Sequence, residues 1–214
     1  MTSLLTIAAV TYLLGSIPFG YLLVRVVRGE DVRLSGSGNI GATNVSRKSP
    51  ALGILTLALD AAKGAASVAL AGHLSDTDPR THYMSLSLAA FCAVVGHVAP
   101  VWLKFRGGKG VATGLGSFVM IAPKSVFVAA VVFFLIVAVF RYVSLGSIIG
   151  VAIFPILAWV LHEYGETPVA LALMAAASLL IIWKHHENIQ RLLAGTENRF
   201  GSKNGPPTAT QEKQ

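Results

Sequence analysis

The sequence predicts an all-α integral membrane protein with seven transmembrane helices, some of them short. Of its 214 residues, 54% are hydrophobic and only 13% are charged, whereas a soluble domain carries about a quarter charged residues. The apolar residues also come in long runs, which is typical of polytopic membrane proteins. We expect one domain over residues 1–201 and a polar, disordered tail over residues 202–214.

Seven apolar segments are predicted as helices. A helix needs about 20 residues to cross about 30 Å of hydrocarbon, so the first three segments are long enough and the last three are slightly short. The fourth is too short unless it is a half-helix or extends back through the glycines before it. The predicted helices are residues 4–24, 52–71, 84–102, 111–121, 125–140, 144–161 and 168–183.

The basic residues predict the orientation of these helices. With seven spans, one side of the membrane holds fourteen of the 17 Lys and Arg residues, and the other side holds only Arg80 and Lys124. Because Lys and Arg are retained in cytoplasmic loops, we expect the N-terminus outside and the C-terminus in the cytoplasm. Fusing residues 111–140 into a single helix would break this partition.

Composition and spacing exclude several classes of protein. The net charge of +7 does not indicate nucleic-acid binding, because the basic residues are scattered over short loops. Cys92 is the only cysteine, so a disulfide framework is excluded. No basic residue precedes Arg25, so the first apolar segment is expected to be a retained helix and not a cleaved signal peptide. His185 and His186 would lie about 100° apart on a helix, and no metal site or cofactor is predicted.

Three polar clusters interrupt the apolar chain, and the topology places all three on the cytoplasmic side. The first is residues 35–44 (SGSGNIGATN), where glycines allow backbone N–H groups to form a concave nest for an anion. Ser35, Asn39, Thr43 and Asn44 add neutral hydrogen-bonding groups, and Arg47 adds a positive charge. The alternative is an ordinary flexible turn between two helices.

The second cluster, residues 104–113 (KFRGGKGVAT), leads directly into the short fourth helix. A helix N-terminus offers free N–H groups and the positive end of a dipole to an anion, and Lys109 lies beside it. The loop is not a Walker A motif, because Gly110 stands where Ser or Thr would follow the lysine. A basic cytoplasmic loop with a Gly110-x-x-x-Gly114 packing face explains the same residues equally well.

The third cluster, residues 185–191 (HHENIQR), follows the last predicted span. On a helix His185 and Asn188 share a face, as do Asn188 and Arg191, because they are three residues apart. The alternative is a simple cap on the C-terminal end of the last helix. Inside the second span, Asp60 and Lys63 are also three residues apart, and we interpret them as a structural ion pair.

Taken together and in order, these motifs resemble those of bacterial acyl-phosphate:glycerol-3-phosphate acyltransferases of the PlsY type. The similarity extends from about residue 5 to Gly201, and the three main motifs show no departure from the family pattern. The motifs that carry the resemblance are residues 14–18 (LGSIP), 37–44 (SGNIGATN), 96–97 (GH), 105–113 (FRGGKGVAT) and 142–145 (YVSL), with His185, Glu187 and Asn188.

The resemblance implies a reaction and a set of partners. Members of the family transfer a fatty acyl group from acyl-phosphate to the 1-hydroxyl of sn-glycerol 3-phosphate, giving lysophosphatidic acid and phosphate without a cofactor. A monomer in the bacterial inner membrane is implied, with its active site on the cytoplasmic face and its donor handed over by the acyl-phosphate-forming enzyme. His73 and Asp78 match the His-x-x-x-x-Asp motif of other acyltransferases, but topology places them outside and we interpret the match as coincidence.

The resemblance also implies the site residues. Catalytic roles fall to Lys109, Ser144, His185 and Asn188, with His185 either a general base or, as we favour, a phosphate ligand. A transporter for a phosphorylated solute is the alternative function, because short and glycine-broken helices also build transport sites. The residues expected to bind substrate or phosphate are Ser35, Ser37, Gly38, Asn39, Gly41, Thr43, Asn44, Arg47, Lys104, Gly107, Gly108, Gly110 and Thr113.

Overall fold

The computed structural model describes residues 4–75 and 78–201, and all the regular structure in these residues is helical. The tail predicted over residues 202–214 lies outside the described residues. The α-helices are α1 (Leu4–Gly15), α2 (Phe19–Arg28), α3 (Ala42–Val45), α4 (Pro50–Leu74), α5 (Pro79–Val98), α6 (Val111–Val119), α7 (Pro123–Phe140), α8 (Val143–Val160), α9 (Pro168–Trp183) and α10 (His186–Leu193).

Several of these helices are long and apolar enough to cross a membrane. Five spans meet that description, with α1 and α2 counted together, and the pair α9 and α10, bent by 55°, makes a sixth if it is one span. The remaining predicted span, α6, has nine residues and is therefore only about 14 Å long. The all-α membrane architecture is confirmed for the described residues, and α6 is too short to cross by itself.

The first span is broken, which corrects the prediction of one continuous helix over residues 4–24. Helix α1 ends at Gly15 and α2 begins at Phe19 and continues to Arg28. Pro18 lies in the break, where it has no N–H to donate and its ring opposes a continuous helix. The freed carbonyl of Ile17 accepts a hydrogen bond of 2.7 Å from Nζ of Lys63.

The other helix ends differ from the predictions by smaller amounts. The third helix ends at Val98 and not at residue 102, because Pro100 follows and a 3₁₀ turn, Val101–Leu103, replaces the last turn. The last span agrees with the prediction at both ends. The short helices α3 and α10 and the 3₁₀ turns were not predicted, since each is shorter than an apolar repeat can reveal.

Helix α5 is the centre of the bundle and α7 lies at its edge. In the most apolar stretch of α5, 61% of the residues are buried, compared with 11% in α7. Helix α5 packs against α1, α4 and α9, and α7 packs mainly against α8. Side chains that form the largest buried cluster include Ile7, Val68, Ala89, Phe118, Phe154 and Met174.

Helices α6 and α7 form a hairpin, so residues 111–140 are not one helix. Helix α6 ends at Val119 and α7 begins with Pro123. Glycines hold α6 tightly against α4: a Cβ atom on Gly116 would lie 1.9 Å from the carbonyl oxygen of Ala61. We call residues 104–110, which lead into α6, the glycine-rich loop. Because α7 runs back toward the start of α6, this loop and the α7–α8 turn lie at the same end of the bundle.

Candidate active site

Polar side chains from four parts of the chain meet at the end of the bundle where α6 begins and α7 ends. The carboxylate of Glu197 is at the centre of this group. Oε1 of Glu197 accepts hydrogen bonds of 2.7 Å from Oγ of Ser144 and from Nδ2 of Asn188, and Oε2 accepts one of 2.7 Å from Nε of Arg191. Nζ of Lys109 donates to Oδ1 of Asn188. We call these five residues the Glu197 cluster.

The structure therefore brings together three of the predicted catalytic residues, Lys109, Ser144 and Asn188. Sequence reasoning missed Glu197 entirely and did not include Arg191 among the site residues. A weak signal was present, because Glu197 is one of five acids on the side of the predicted topology that holds fourteen Lys and Arg residues. A carboxylate that becomes buried in such a setting usually has a cationic partner.

Burial and charge govern the protonation of the Glu197 cluster. Burial by itself would raise the pKa of Glu197, but hydrogen bonds from Ser144, Arg191 and Asn188 outweigh it and hold that pKa below its usual range. Burial, together with the positive charge of Arg191, lowers the pKa of Lys109 to about 8. At neutral pH the cluster therefore holds a carboxylate, a guanidinium and a mostly protonated amine.

His185 lies at the bend between α9 and α10 and is only 2% exposed. Its Nδ1 donates a hydrogen bond of 2.7 Å to the carbonyl oxygen of Ile181, because a carbonyl can only accept. Burial lowers the pKa of His185 to about 4, and the charge of Lys109 adds to this effect. The ring is therefore neutral at pH 7, with the lone pair of Nε2 as an acceptor.

The glycine-rich loop presents fewer free N–H groups than its predicted phosphate-binding glycines would require. The N–H of Gly107 donates to the carbonyl of Val98 at 3.1 Å, and the N–H of Gly108 donates to the carbonyl of His97 at 3.0 Å. These two N–H groups already bind the last carbonyl oxygens of α5. The prediction that they present N–H groups to a phosphate is therefore wrong. The donors that remain are at the N-terminus of α6, where Gly110 adopts a φ of 90° that favours glycine.

The remaining residues of this loop support the packing alternative. A Cβ atom on Gly110 would lie 3.1 Å from Val94, and one on Gly114 would lie 3.1 Å from Ile181. Thr113, predicted as a ligand, is completely buried. Its hydroxyl lies 3.1 Å from Nδ1 of His97, so it serves an internal contact and is not presented to a substrate.

The structure does not bring Lys104 to Lys109. Lys104 is exposed and adopts a left-handed φ of 53°, and it faces a separate open cleft of about 480 Å³. No member of the Glu197 cluster lines this cleft. Its lining residues are Tyr21, Arg33, Trp102, Leu103, Lys104 and Arg106.

In the first loop, Asn44 organises the backbone. The side chain is 3% exposed, and its Nδ2 donates to the carbonyls of Val32, Ser35 and Asn39 at 2.8–3.2 Å. Its Oδ1 accepts the N–H of Ser37 at 3.0 Å. Since both ends of the amide are occupied, the structure contradicts the prediction that Asn44 hydrogen-bonds a substrate directly.

Other predicted ligands of the first loop are partly used in the same way. Oδ1 of Asn39 accepts the N–H of Gly41 at 2.8 Å, and the hydroxyl of Ser35 donates to Val32 at 3.2 Å. Arg47 is exposed, and its charge is close enough to contribute to the lowered pKa of Lys109. The segment after the first loop thus acts on Lys109 through the charge of Arg47. The residues of this loop that lie exposed are Gly36, Ser37, Gly38 and Thr43.

Two further predictions concern residues away from this site. Asp60 and Lys63 form the predicted ion pair, with 2.8 Å between Oδ1 and Nζ. Asp78 caps α5, since its carboxylate accepts the N–H of Thr81 at 2.9 Å. It has no contact with the Glu197 cluster among the described residues, which agrees with the interpretation of its motif as coincidence.

Comparison with known proteins identifies the family. Residues 5–195 match the family model described as glycerol-3-phosphate acyltransferase. Proteins of that name from Syntrophotalea carbinolica and Trichlorobacter lovleyi are 48% and 49% identical over 201 residues, covering 94% of this chain and 99% of each relative.

Solved structures agree with the sequence comparison. The crystal structure of PlsY, an integral membrane glycerol 3-phosphate acyltransferase, in its glycerol 3-phosphate form is 36% identical, with a TM-score of 0.85 over 94% of this chain and 96% of that one. The lysophosphatidic acid form gives 35% identity and a TM-score of 0.81. The chain therefore belongs to the glycerol-3-phosphate acyltransferase family and is a membrane-embedded acyltransferase.

Proposed function

We propose that this protein transfers a fatty acyl group from acyl-phosphate to the 1-hydroxyl of sn-glycerol 3-phosphate, giving lysophosphatidic acid and phosphate. The observation that carries the proposal is the Glu197 cluster, in which Lys109 and Arg191 are joined through Asn188 and Glu197. The charge of Lys109 also acts on the neutral ring of His185. The names of the relatives, and the glycerol 3-phosphate and lysophosphatidic acid forms of PlsY, support the acceptor and the product.

The charges of the site suit phosphate. Within the cluster, Lys109 and Arg191 carry two positive charges against the negative charge of Glu197. Outside it, the positive charge of Arg47 is matched by the negative charge of Glu187, which lies 3.9 Å from Arg191. The cluster is therefore net positive before a substrate enters. The N-terminus of α6 points its unpaired N–H groups and the positive end of its dipole toward the same end of the bundle.

The reaction needs positioning more than covalent catalysis, because acyl-phosphate is already an activated anhydride. The hydroxyl oxygen of the acceptor bonds to the acyl carbon, the bond from that carbon to the phosphate oxygen breaks, and phosphate leaves. Holding two anions in attacking geometry can lower the barrier by roughly 7–11 kcal/mol. Cations and N–H groups that are already in position before the reaction stabilise the negative charge that develops on the carbonyl oxygen of the acyl group.

The hydroxyl proton goes to a phosphate oxygen in this proposal. With Nδ1–H bound to Ile181, Nε2 of His185 can accept a hydrogen bond from the hydroxyl and orient it. A ring whose pKa is lowered to about 4 is a weak base, whereas a phosphate group with a second pKa of about 6 is a stronger one. His185 would thus direct the hydroxyl, which revises the favoured expectation that it is a phosphate ligand. The neutral ring uses its one N–H on Ile181 and has none left to donate to a phosphate dianion.

We further propose seven spans, with the short α6 and the loop before it counted as one. The N-terminus would lie outside and the site on the cytoplasmic face of a bacterial inner membrane. The charge partition of the sequence supports this, and so does the meeting of the α5–α6 loop, the α7–α8 turn and α10 at one end of the bundle. The protein would act as a monomer over residues 1–201 and receive its donor from the enzyme that makes acyl-phosphate. The exposed residues Ser37, Thr43 and Arg47 would contact substrate from the first loop.

The test uses purified protein with glycerol 3-phosphate and either acyl-phosphate or acyl-CoA. We expect phosphate and lysophosphatidic acid to form in equal amounts from acyl-phosphate, and neither product to form from acyl-CoA. Product from acyl-CoA only would overturn the assignment of the donor. Uptake of glycerol 3-phosphate into sealed vesicles without acylation would instead support the transporter.

A further inference from the structure

A buried polar cluster lies inside the membrane-spanning bundle, beneath the glycine-rich loop. Asp60 and Lys63 come from α4, His97 from α5 and Thr113 from α6, and each is at most 4% exposed. Oδ1 of Asp60 lies 2.8 Å from Nζ of Lys63 and 3.5 Å from Nδ1 of His97. The hydroxyl of Thr113 lies 3.1 Å from the same Nδ1.

Burying such a cluster inside a membrane protein costs free energy. Ionisable groups within spans are rare, and a buried ion pair often contributes less to stability than apolar residues of the same volume. Part of its role is structural, because Lys63 also binds the carbonyl of Ile17 in the break between α1 and α2. That bond does not account for His97, whose ring lies between Asp60 and Gly108.

His97 holds the glycine-rich loop at two points. Its carbonyl oxygen accepts the N–H of Gly108 at 3.0 Å, and its ring fills the space directly beneath the same residue. A Cβ atom on Gly108 would lie only 2.1 Å from Nε2 of His97. The neighbours of Nδ1, Asp60 and Thr113, fix the plane of the ring, so the ring determines how closely Gly108 can approach α5.

We propose that His97, oriented by Asp60, is a positioning residue that fixes the glycine-rich loop so that Lys109 meets Asn188. Lys109 directly follows Gly108, and its Nζ bonds the amide of Asn188. A ring that moved or was lost would let Gly108 settle toward α5 and draw Lys109 away from the Glu197 cluster. The inference rests on the proposed function for its kinetic readout, but its structural readout is independent of the reaction.

Two conservative substitutions test the contribution of each ring nitrogen of His97 separately. His97→Asn keeps a hydrogen-bonding group near the position of Nδ1 but leaves empty the space beneath Gly108, whereas His97→Gln reaches the position of Nε2. We expect His97→Asn to raise the KM for glycerol 3-phosphate by about tenfold with a smaller change in kcat. His97→Gln should recover most of this loss. Equal losses of kcat in both variants, with unchanged KM, would overturn the proposal.

A double-mutant cycle tests the contact itself. Gly108→Ala should lower both activity and Tm, because the new methyl group meets the ring, and adding His97→Asn should restore about tenfold in kcat/KM and part of the Tm. Gly107→Ala is the matched control, since its Cβ would lie 2.1 Å from the carbonyl oxygen of His97, a backbone atom. His97→Asn should not rescue that variant.

The outcomes separate this proposal from the proposed function. Rescue of Gly108→Ala but not of Gly107→Ala supports the positioning role, whereas no rescue, or equal rescue of both, overturns it. If wild-type protein makes no product from acyl-phosphate, the proposed function fails. The Tm cycle in detergent still decides whether the ring of His97 sets the position of Gly108.

Discussion

Lys109 is expected to lose its charge, and the enzyme its affinity for glycerol 3-phosphate, as the pH rises past about 8. Burial beside the guanidinium of Arg191 lowers the pKa of Lys109 from its ordinary value of 10.5 to about 8. At pH 7 most of the free enzyme therefore carries the ammonium form. At pH 9 only about one molecule in ten does so, one unit above the pKa.

The expected effect on binding follows from that fraction. The phosphate group of the substrate, with a second pKa of about 6, is a dianion throughout this range, so its own titration does not contribute. If binding requires the charged amine, the KM for glycerol 3-phosphate should be about tenfold higher at pH 9 than at pH 7. Phosphate release measured between pH 6.5 and 9.5 gives this profile.

Lys109→Arg provides the decisive comparison, because a guanidinium stays protonated over the whole range. Its KM should start higher than that of the wild type, since the point charge is replaced by a planar fork, but it should stay flat to pH 9.5. Lys104→Arg is the matched control, because Lys104 lies outside the Glu197 cluster, and it should keep the wild-type profile. A wild-type KM that is flat to pH 9.5, or the same rise in Lys109→Arg, would refute the reasoning.

Three further substitutions should separate chemistry from architecture. His185→Ala should raise KM and lower kcat by about 10²–10³, and recovery at high pH would show that the ring acts as a base. Asn44→Ala removes four hydrogen bonds that shape the first loop, and each net bond is worth about 1 kcal/mol, so Tm should fall measurably together with substrate affinity. Lys104→Gln should change KM less than twofold, and a loss as large as that of Lys109→Gln would contradict the separation of the two lysines.

The spans could be predicted because long apolar runs have few alternatives to a membrane helix. Where the prediction of the fold failed, a local backbone event decided the outcome. Pro18 interrupts the first span and Pro100 ends the third early, and hydropathy averaged over a window does not register a single missing N–H. The sharp bend at His185 likewise separates α9 from α10. Hydropathy shows only that the sequence changes there from apolar to polar, and not that a second helix follows.

The sequence pointed to members of the Glu197 cluster where charge or an unusual residue type marked them, and missed those whose place in the cluster depends on a partner. Lys109, Ser144 and Asn188 meet as expected, but the carboxylate that joins them comes from Glu197, which carries no recognisable spacing. The roles of the glycines were the hardest to predict from the sequence. The sequence does not distinguish a glycine that exposes its N–H to an anion from one, such as Gly107, that makes room for a neighbouring backbone.

A carboxylate in the proposed phosphate site requires an explanation, and the charge of Lys109 provides one. Glu197 raises the pKa of Lys109, opposing the lowering by burial and by Arg191. In Glu197→Gln this support is lost, so the pKa of Lys109 should fall below 8 and the rise in KM should begin at a lower pH than in the wild type. The same change should lower Tm, since hydrogen bonds to a charged group are worth about 1.5–3 kcal/mol each. If Tm falls but the KM profile keeps its wild-type midpoint, Glu197 only braces Asn188 and Arg191 and does not hold the charge of Lys109.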